Sequence, residues 1–196
     1  SKGDYEVFYL NDLIKNFKIE EVQKAGAIFD ITKLDWVNSQ HLANLSIDDF
    51  KSHIKPFLKK IGIEIEDHPN LELMINAMRS SDNTLSGIAE SLVPYFKDIP
   101  AFDTKAIDKF LSEGSGILED IKDVLLKVDN WNETTIDSVL KNYQNKYNLP
   151  VPKVNQPIRI ALTGSTKSPS LGLTLSIFGK EQSIKRIQNL IDIVND

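Results

Sequence analysis

The segment GSTKSPS, residues 164–170, contains the residue types of a phosphate-binding loop. Such a loop follows a strand, and it places glycine directly before Lys-Ser so that backbone N–H groups reach the phosphates. Here Thr166 precedes Lys167, and Ala161 occupies the position of the earlier glycine. The run IRIALT before Gly164 predicts a helix rather than a strand. The spacing therefore argues against a nucleotide phosphate site.

Nucleophilic and metal-assisted chemistry find little support in the residue types. The chain has no cysteine, which removes thiolate ligands and thiol catalysis, and its three histidines are scattered at His41, His53 and His68. None of them is near the serines of residues 164–170 in sequence, although a triad can assemble from distant residues. Acidic pairs such as Asp48-Asp49 are typical of solvated helix faces. We therefore expect no catalytic residue and no metal site.

The charge is uneven along the chain. The formal net charge is -5, but from residue 151 onward six Lys/Arg face three Asp/Glu, so this part carries +3 and the rest -8. This asymmetry is compatible with an anionic partner at the C-terminal part, and equally with chance.

No apolar run approaches the roughly 20 residues of a membrane span. The absence of cysteine fits a reducing compartment, so we expect a cytoplasmic chain without membrane contact.

Apolar residues recur at helical spacing almost throughout, and capping residues precede several of these runs. Asp30, Ser46 with Asp49, Asp103, and either Asn132 or Thr134 are predicted to begin helices. The short stretch IGIEIED is the only one with the alternation of a strand. Phe29 and Trp36 are expected in the core, although an aromatic residue near a helix start can also pack on an RNA backbone. The pattern predicts an all-α chain.

Prolines mark the predicted interruptions. Residues 97–102, with Pro100, are the best candidate boundary between two helical subdomains. Pro56 predicts a kink or break in its helix. Residues 149–157 contain three prolines and are predicted to form a stiff connection rather than part of a helix. Three short helices are expected after it.

Two segments in the right order and separation resemble bacterial glutamyl-tRNA synthetases. GAIFDITKLDWVNSQHL, residues 26–42, resembles the Phe-Asp-x-x-Lys-Leu-x-Trp-x-Asn signature that follows the catalytic core in that family. QPIRIALTGSTKSPSLGLTLSIFGKEQSIKRI, residues 156–187, resembles its C-terminal Arg-x-Ala-Leu-Thr-Gly…Pro-x-Leu…Leu-Gly-Lys-Glu block. The lead-in EVFYLNDLIKNFKIEEV is also similar, so the resemblance runs nearly end to end.

The resemblance implies the C-terminal, anticodon-binding part of a class I aminoacyl-tRNA synthetase. It implies a two-subdomain helical cage, with a stem-contact and anticodon-binding subdomain 1 at residues 1–98 and an anticodon-binding subdomain 2 at residues 99–196. The family's ATP-binding motifs do not occur in this chain. ATP, magnesium and glutamate activation would belong to an N-terminal half, so this fragment would need no cofactor of its own. It would bind tRNA(Glu), not DNA, as a monomer.

The resemblance also assigns residues to the anticodon contact. The arginine of the C-terminal block is Arg159, and contacts to the first anticodon base fall on Ser168, Pro169 and Leu171. Single-stranded bases are read by stacking and by hydrogen bonds at their edges. A rigid proline lowers the entropic cost of ordering the loop. Arg159 and Lys167 would add salt-sensitive attraction.

One position departs from the family pattern. Synthetases restricted to glutamate tRNA carry an arginine before Thr-Leu that reads the third anticodon base. In MRSSDNTL the aligned residue is Ser81, and Arg79 comes two residues earlier. Serine cannot make the bidentate contact of an arginine, so one hypothesis is relaxed discrimination, with tRNA(Gln) as a second substrate of the parent enzyme. The other hypothesis is a shift of one turn that lets Arg79 read the third anticodon base in place of the missing arginine. A helical protein–protein interaction module without RNA binding is the alternative to both.

Overall fold

Helices account for the regular structure of this protein. The computed structural model describes residues 7–22, 26, 28–65, 70–99 and 101–196, and within these ranges it contains no strand. The elements are α1 (Leu10–Asn16), a 3₁₀ helix (Ile19–Glu21), α2 (Ile31–Asn44), α3 (Ile47–Lys60), α4 (Leu71–Met78), α5 (Leu85–Phe96), α6 (Thr104–Phe110), α7 (Gly116–Leu126), α8 (Glu133–Lys146), α9 (Val151–Thr163) and α10 (Leu171–Asn195). The all-α prediction is confirmed. No described helix combines the length and apolarity that crossing a membrane requires.

The predicted capping residues begin four of these helices. Asp30 accepts the Lys33 N–H at 3.1 Å. Ser46 accepts the Asp49 N–H at 3.1 Å and donates its hydroxyl to the Asp49 carboxylate at 2.7 Å. The side chains of two further residues cap α6 and α8 in the same way, Asp103 and Asn132. Each cap supplies an acceptor that the first helical turn lacks and stabilises its helix by about 1 kcal/mol.

The prediction of a stiff connection at residues 149–157 is wrong. α9 begins at Val151 and runs through Pro157 to Thr163. Pro152 lies in the first turn, where no N–H is needed. Pro157 removes one internal hydrogen bond, at a cost of about 3 kcal/mol, but it is buried in the core, and this burial offsets the cost. Pro56 likewise lies inside α3 without ending it.

The last two of the three predicted C-terminal helices are both present and meet at Gly179. The range given for α10 includes both of them, and Gly179, whose φ of 73° and ψ of 166° are not helical, separates them. The predicted strand alternation in IGIEIED does not form a strand over Ile61–Ile65, where Ile63 and Ile65 are buried under the helices. The remaining residues of that stretch lie outside the described part, as does Pro100.

Two hydrophobic cores lie one after the other along the chain. The first joins α2 to α5 through buried side chains that include Phe50, Ile54, Leu58, Met74, Ile75, Ile88 and Leu92. The second joins α6 to α10 through Leu118, Ile121, Leu125, Ile136, Ile158, Leu175 and Ile187. Ile177 of α10 packs into the first core, so α10 contributes to both. The predicted division into residues 1–98 and 99–196 stays a prediction.

Apolar side chains are unusually exposed near the start of the chain. Phe29 is 74% exposed and Trp36 is 41% exposed, so the expectation that both belong to the core is wrong. Other apolar side chains in this part of the chain are also exposed, and the whole set is called the exposed apolar surface: Leu10, Leu13, Ile14, Phe17, Ile19, Val22, Ile28, Ile31 and Leu34 in addition to Phe29 and Trp36. A helical pattern predicts which face of an amphipathic helix is apolar, but it does not say which element covers that face.

Candidate nucleic-acid interface

The segment that connects α9 and α10, residues 165–170, forms the 165–170 loop. Gly164 directly follows the last residue of α9 and caps the helix; it has a φ of 77°, and its N–H donates to Ile160 O at 2.8 Å. A Cβ at this position would lie 2.7 Å from the Ile99 side chain and 3.0 Å from Ala101 O. Both the left-handed backbone and the close approach require glycine. The preceding helix also confirms that no strand leads into this loop, as a phosphate-binding loop would need.

Arg159 fixes the loop from inside. It lies one turn before the end of α9, and its Nη1 donates to Ser168 O at 2.7 Å and to Pro169 O at 2.6 Å. The same nitrogen also donates to the Ser168 hydroxyl. Charge-assisted hydrogen bonds of this kind are stronger than neutral ones. The structure therefore brings Arg159, Ser168 and Pro169 together, and their contact with an anticodon base stays a prediction.

The hydrogen bonds of Arg159 to the loop all use Nη1. Within the described ranges, its Nε and Nη2 make no hydrogen bond, and the side chain is only half-buried. Burial lowers the pKa of the guanidinium, and the nearby Tyr95 opposes this shift. An arginine still keeps its charge at neutral pH because its pKa starts so high. The Nε–Nη2 edge can thus donate two parallel hydrogen bonds to an anionic or carbonyl acceptor.

The remaining predicted residues of the loop differ in exposure. Lys167 is exposed, and its backbone N–H donates to the Ser165 hydroxyl at 3.2 Å. Leu171, by contrast, is 3% exposed because its side chain packs in the second core. A contact between the Leu171 side chain and a base therefore stays a prediction. The loop therefore presents the Lys167 side chain to solvent, whereas the Leu171 side chain is buried.

The first turn of α10 is fixed by two carboxylates of α8. The Ser170 hydroxyl donates to Glu133 Oε1 at 2.6 Å, and the Gly172 N–H donates to Asp137 Oδ1 at 3.0 Å. A Cβ on Gly172 would lie 2.7 Å from Glu133 O, so the two helices approach closely there. The N-terminal end of a helix attracts anions. Here the protein's own carboxylates already occupy that position, which is a second reason to reject a phosphate site.

Arg79 and Ser81 lie in the α4–α5 connection of the first core. Arg79 Nη2 donates to Leu42 O at 3.0 Å and to Leu45 O at 2.8 Å, both at the C-terminal end of α2. Its guanidinium also lies over the Phe50 ring, 5.1 Å from the centroid. Ser81 is exposed, and its N–H donates to Met78 O at 2.8 Å. Among the described residues, no hydrogen bond or ion pair joins either residue to the 165–170 loop.

Sequence reasoning missed the residue that links the two cores. Arg186 of α10 is 6% exposed; its Nη1 donates to Leu162 O at 2.6 Å and its Nη2 to Lys97 O at 2.9 Å. Its guanidinium lies over the Phe178 ring at 4.5 Å, and that ring stacks on Tyr95 of α5 at 4.8 Å. Burial lowers the Arg186 pKa and raises the Tyr95 pKa.

One signal in the sequence could have identified Arg186. Ser183, Ile187 and Leu190 follow one another at separations of four and three residues, Arg186 follows Ser183 by three, and all four are buried. Arg186 therefore occupies the apolar face of its helix. A charged residue at such a position is rarely fully buried unless it is paired. In the charge pattern of the sequence, Arg186 is only one of the six Lys/Arg from residue 151 onward.

The described residues offer no other centre for chemistry. No group of three or more histidine, aspartate or glutamate side chains within the described ranges is placed to hold a metal ion. What remains is a helical protein that presents a proline-containing loop fixed from inside by an arginine. Fold and site together therefore define the chain as an all-α protein with two hydrophobic cores and an arginine-fixed loop between its last two numbered helices.

Comparison with known proteins assigns the chain within that class. The model of the anticodon binding domain family matches residues 49–191, so the chain belongs to that family. It is 35% identical over 192 residues to glutamate–tRNA ligase 1 of Syntrophus aciditrophicus, covering 97% of this chain and 41% of the relative. It is 32% identical over 189 residues to glutamate–tRNA ligase of Myxococcus xanthus, covering 95% and 40%.

Solved structures agree with this assignment. The crystal structure of a glutamate tRNA ligase from Elizabethkingia meningosepticum, in complex with its amino acid, superimposes with a TM-score of 0.78 at 25% identity. The match covers 94% of this chain and 36% of that one. The resemblance to glutamyl-tRNA synthetases predicted from the sequence is confirmed. The chain spans about two fifths of the length of the curated relatives it matches.

Proposed function

We propose that this chain binds the anticodon loop of tRNA(Glu), and that the 165–170 loop with Arg159 is a main contact. The proposal rests on the difference between the two parts of the Arg159 guanidinium. Its Nη1 fixes the loop, while its Nε–Nη2 edge makes no hydrogen bond within the described part of the chain. Membership of the anticodon binding domain family supports the same ligand.

The chemistry of the loop suits an unpaired base. Single-stranded anticodon bases expose edges that hydrogen-bond donors can read. The Nε–Nη2 edge of Arg159 offers two such donors in a fixed plane. Pro169 and the hydrogen bonds from Arg159 restrict the loop before binding, so little conformational entropy is lost when a base is bound. Lys167 is exposed and adds attraction to the phosphates.

Titration with a labelled tRNA(Glu) transcript at two salt concentrations tests the proposal. Lys167→Ala should weaken binding at low salt and reduce the salt dependence by about one unit of slope. Lys146→Ala is the matched control, because it removes the same charge from an exposed position. That residue lies at the opposite end of α8 from Glu133, about 20 Å away at 1.5 Å per residue. Binding that does not depend on salt, or equal effects of the two variants, would contradict the proposal.

We further propose that the parent enzyme also accepts tRNA(Gln). Ser81 is exposed at the position where restricted synthetases carry arginine, and it cannot make a bidentate contact. Arg79 is engaged with Leu42 O and Leu45 O and packs on Phe50, which disfavours its release to read a base. Aminoacylation of both purified tRNAs decides the question. A preference above about 100-fold for tRNA(Glu), roughly 2.7 kcal/mol, would reject relaxed discrimination.

We also infer that the chain is one part of a longer protein, a cytoplasmic and monomeric glutamate–tRNA ligase. The other part of that enzyme would bind ATP and magnesium. The relatives are more than twice as long, and the exposed apolar surface is what we expect of side chains that another part of the longer enzyme covers. Sedimentation of the full-length enzyme tests the monomer.

The alternative of a protein–protein interaction module makes a different prediction. It expects no binding of tRNA at tens of micromolar by the full-length enzyme at either salt concentration. The exposed apolar surface is compatible with an interaction module. Such a module does not explain why Arg159 fixes the loop through Nη1 alone.

A further inference from the structure

We propose that Asp137 and Glu133 of α8 are positioning residues for the anticodon contact of the 165–170 loop. This inference rests on the proposed function. Neither residue was singled out by its sequence context, and both lie on an element that precedes the loop by some thirty residues. Their spacing of four places them on one face of α8.

The two carboxylates contact the chain immediately after the loop. Glu133 Oε1 accepts the Ser170 hydroxyl at 2.6 Å, and Asp137 Oδ1 accepts the Gly172 N–H at 3.0 Å. A third contact lies one turn further along α10, where the Trp131 indole N–H donates to Leu175 O at 2.9 Å. The start of α10 is thus held at three positions, Ser170, Gly172 and Leu175, by side chains within a stretch of seven residues, 131–137.

The loop is consequently fixed on both sides. Arg159 bonds the carbonyls of Ser168 and Pro169, and the α8 carboxylates bond Ser170 and Gly172. The absence of a side chain at Gly172 lets α10 approach the backbone of α8, because a Cβ there would lie 2.7 Å from Glu133 O. The position of the base-reading groups therefore depends on α8 as well as on α9.

The carboxylates also bias the kind of group that can approach. The N–H groups at the start of α10 would otherwise attract a phosphate. Asp137 already accepts one of them, and its negative charge repels a second anion. The arrangement favours approach of a base edge over approach of the RNA backbone at this end of the loop.

Asp137→Ala and Asp137→Asn separate positioning from charge. Asparagine keeps an oxygen that accepts the Gly172 N–H, whereas alanine does not, and both remove the same charge. The measured quantity is the ratio of affinities for a tRNA(Glu) transcript and for the same transcript with its anticodon replaced. Asp137→Ala should lower this ratio about tenfold, and Asp137→Asn should keep it within about twofold of wild type.

The other outcomes are distinguishable. An equal change in both variants would show that only charge matters and would overturn the inference, as would an Asp137→Ala loss of affinity that is the same for both transcripts. Wild-type protein that does not distinguish the transcripts overturns the proposed function and the inference together. Glu133→Ala with Glu133→Gln repeats the comparison on the second carboxylate. Asp137 is exposed, so both of its variants are expected to fold.

Discussion

Replacing Arg186 with methionine should destabilise the protein by about 4 kcal/mol. Arg186 is 6% exposed and donates to carbonyls at the ends of two helices, Leu162 O in the last turn of α9 and Lys97 O just after α5. These carbonyls have no helical N–H partner, and each helix C-terminus favours a cation. Methionine fills most of the space but satisfies neither carbonyl.

The magnitude follows from the contacts that are lost. Each charge-assisted hydrogen bond to a buried carbonyl contributes about 1.5 kcal/mol or more, so the two together contribute about 3 kcal/mol. The contact between the guanidinium and the Phe178 ring, at 4.5 Å, adds about 1 kcal/mol. Arg186→Lys keeps a cation but can reach both carbonyls only poorly, so it should recover less than half of the loss.

Equilibrium unfolding in urea, followed by far-UV circular dichroism, measures the effect. Lys185→Met is the matched control, since the neighbouring residue is exposed and its replacement should change the free energy of unfolding by less than about 0.5 kcal/mol. If Arg186→Met costs less than about 1 kcal/mol, the two hydrogen bonds do not join the cores as described, and the reasoning is refuted.

Three further predictions concern glycine, tyrosine and the exposed apolar surface. Gly164→Ala should cost about 2–3 kcal/mol in urea unfolding because of its positive φ and close neighbours, whereas Gly116→Ala, with open space around it, should be neutral or stabilising by about 0.5 kcal/mol. Burial and the hydrogen bond to Asp120 raise the pKa of Tyr143 to about 12. The stability that this shift contributes is therefore present below about pH 10 and is lost as the pH rises through about 12. Asp120→Asn should lower the pKa of Tyr143, as measured by a tyrosinate absorbance titration. Ile28→Ser, at a position that is 94% exposed, should change the free energy of unfolding by less than about 0.5 kcal/mol in this chain, and a larger loss would show that the residue is covered.

The local signals in the sequence were sufficient for the helices and their starts. Asp30, Ser46, Asp103 and Asn132 begin helices because their side chains accept an N–H in the first turn, an effect confined to three residues. Local sequence signals gave a wrong prediction where the burial of a side chain opposes the preference of its residue type. Pro157 lies inside α9 because the gain from burying that face exceeds the cost of the missing hydrogen bond.

The candidate site could be predicted only in part. Arg159, Ser168 and Pro169 were assigned together, and the structure places them in contact. The roles of Asp137 and Arg186 depend on contacts between residues that are 24 to 89 positions apart, and one sequence carries no direct record of such pairings. Phe29 and Trp36 were expected in the core because apolar periodicity does not identify the element that covers a helix face.

The central claim is that Arg159 uses one nitrogen to fix the 165–170 loop and its other edge to read the anticodon. The most direct test is the ratio of affinities for tRNA(Glu) and for the same transcript with a replaced anticodon, measured for wild type and for Arg159→Lys. Lysine keeps the charge and can still donate to Ser168 O, but it lacks the planar two-donor edge. The wild-type protein should prefer the unaltered anticodon, and Arg159→Lys should lose about tenfold or more of that preference. Equal binding of both transcripts by wild type, or an unchanged preference in Arg159→Lys, would contradict the claim.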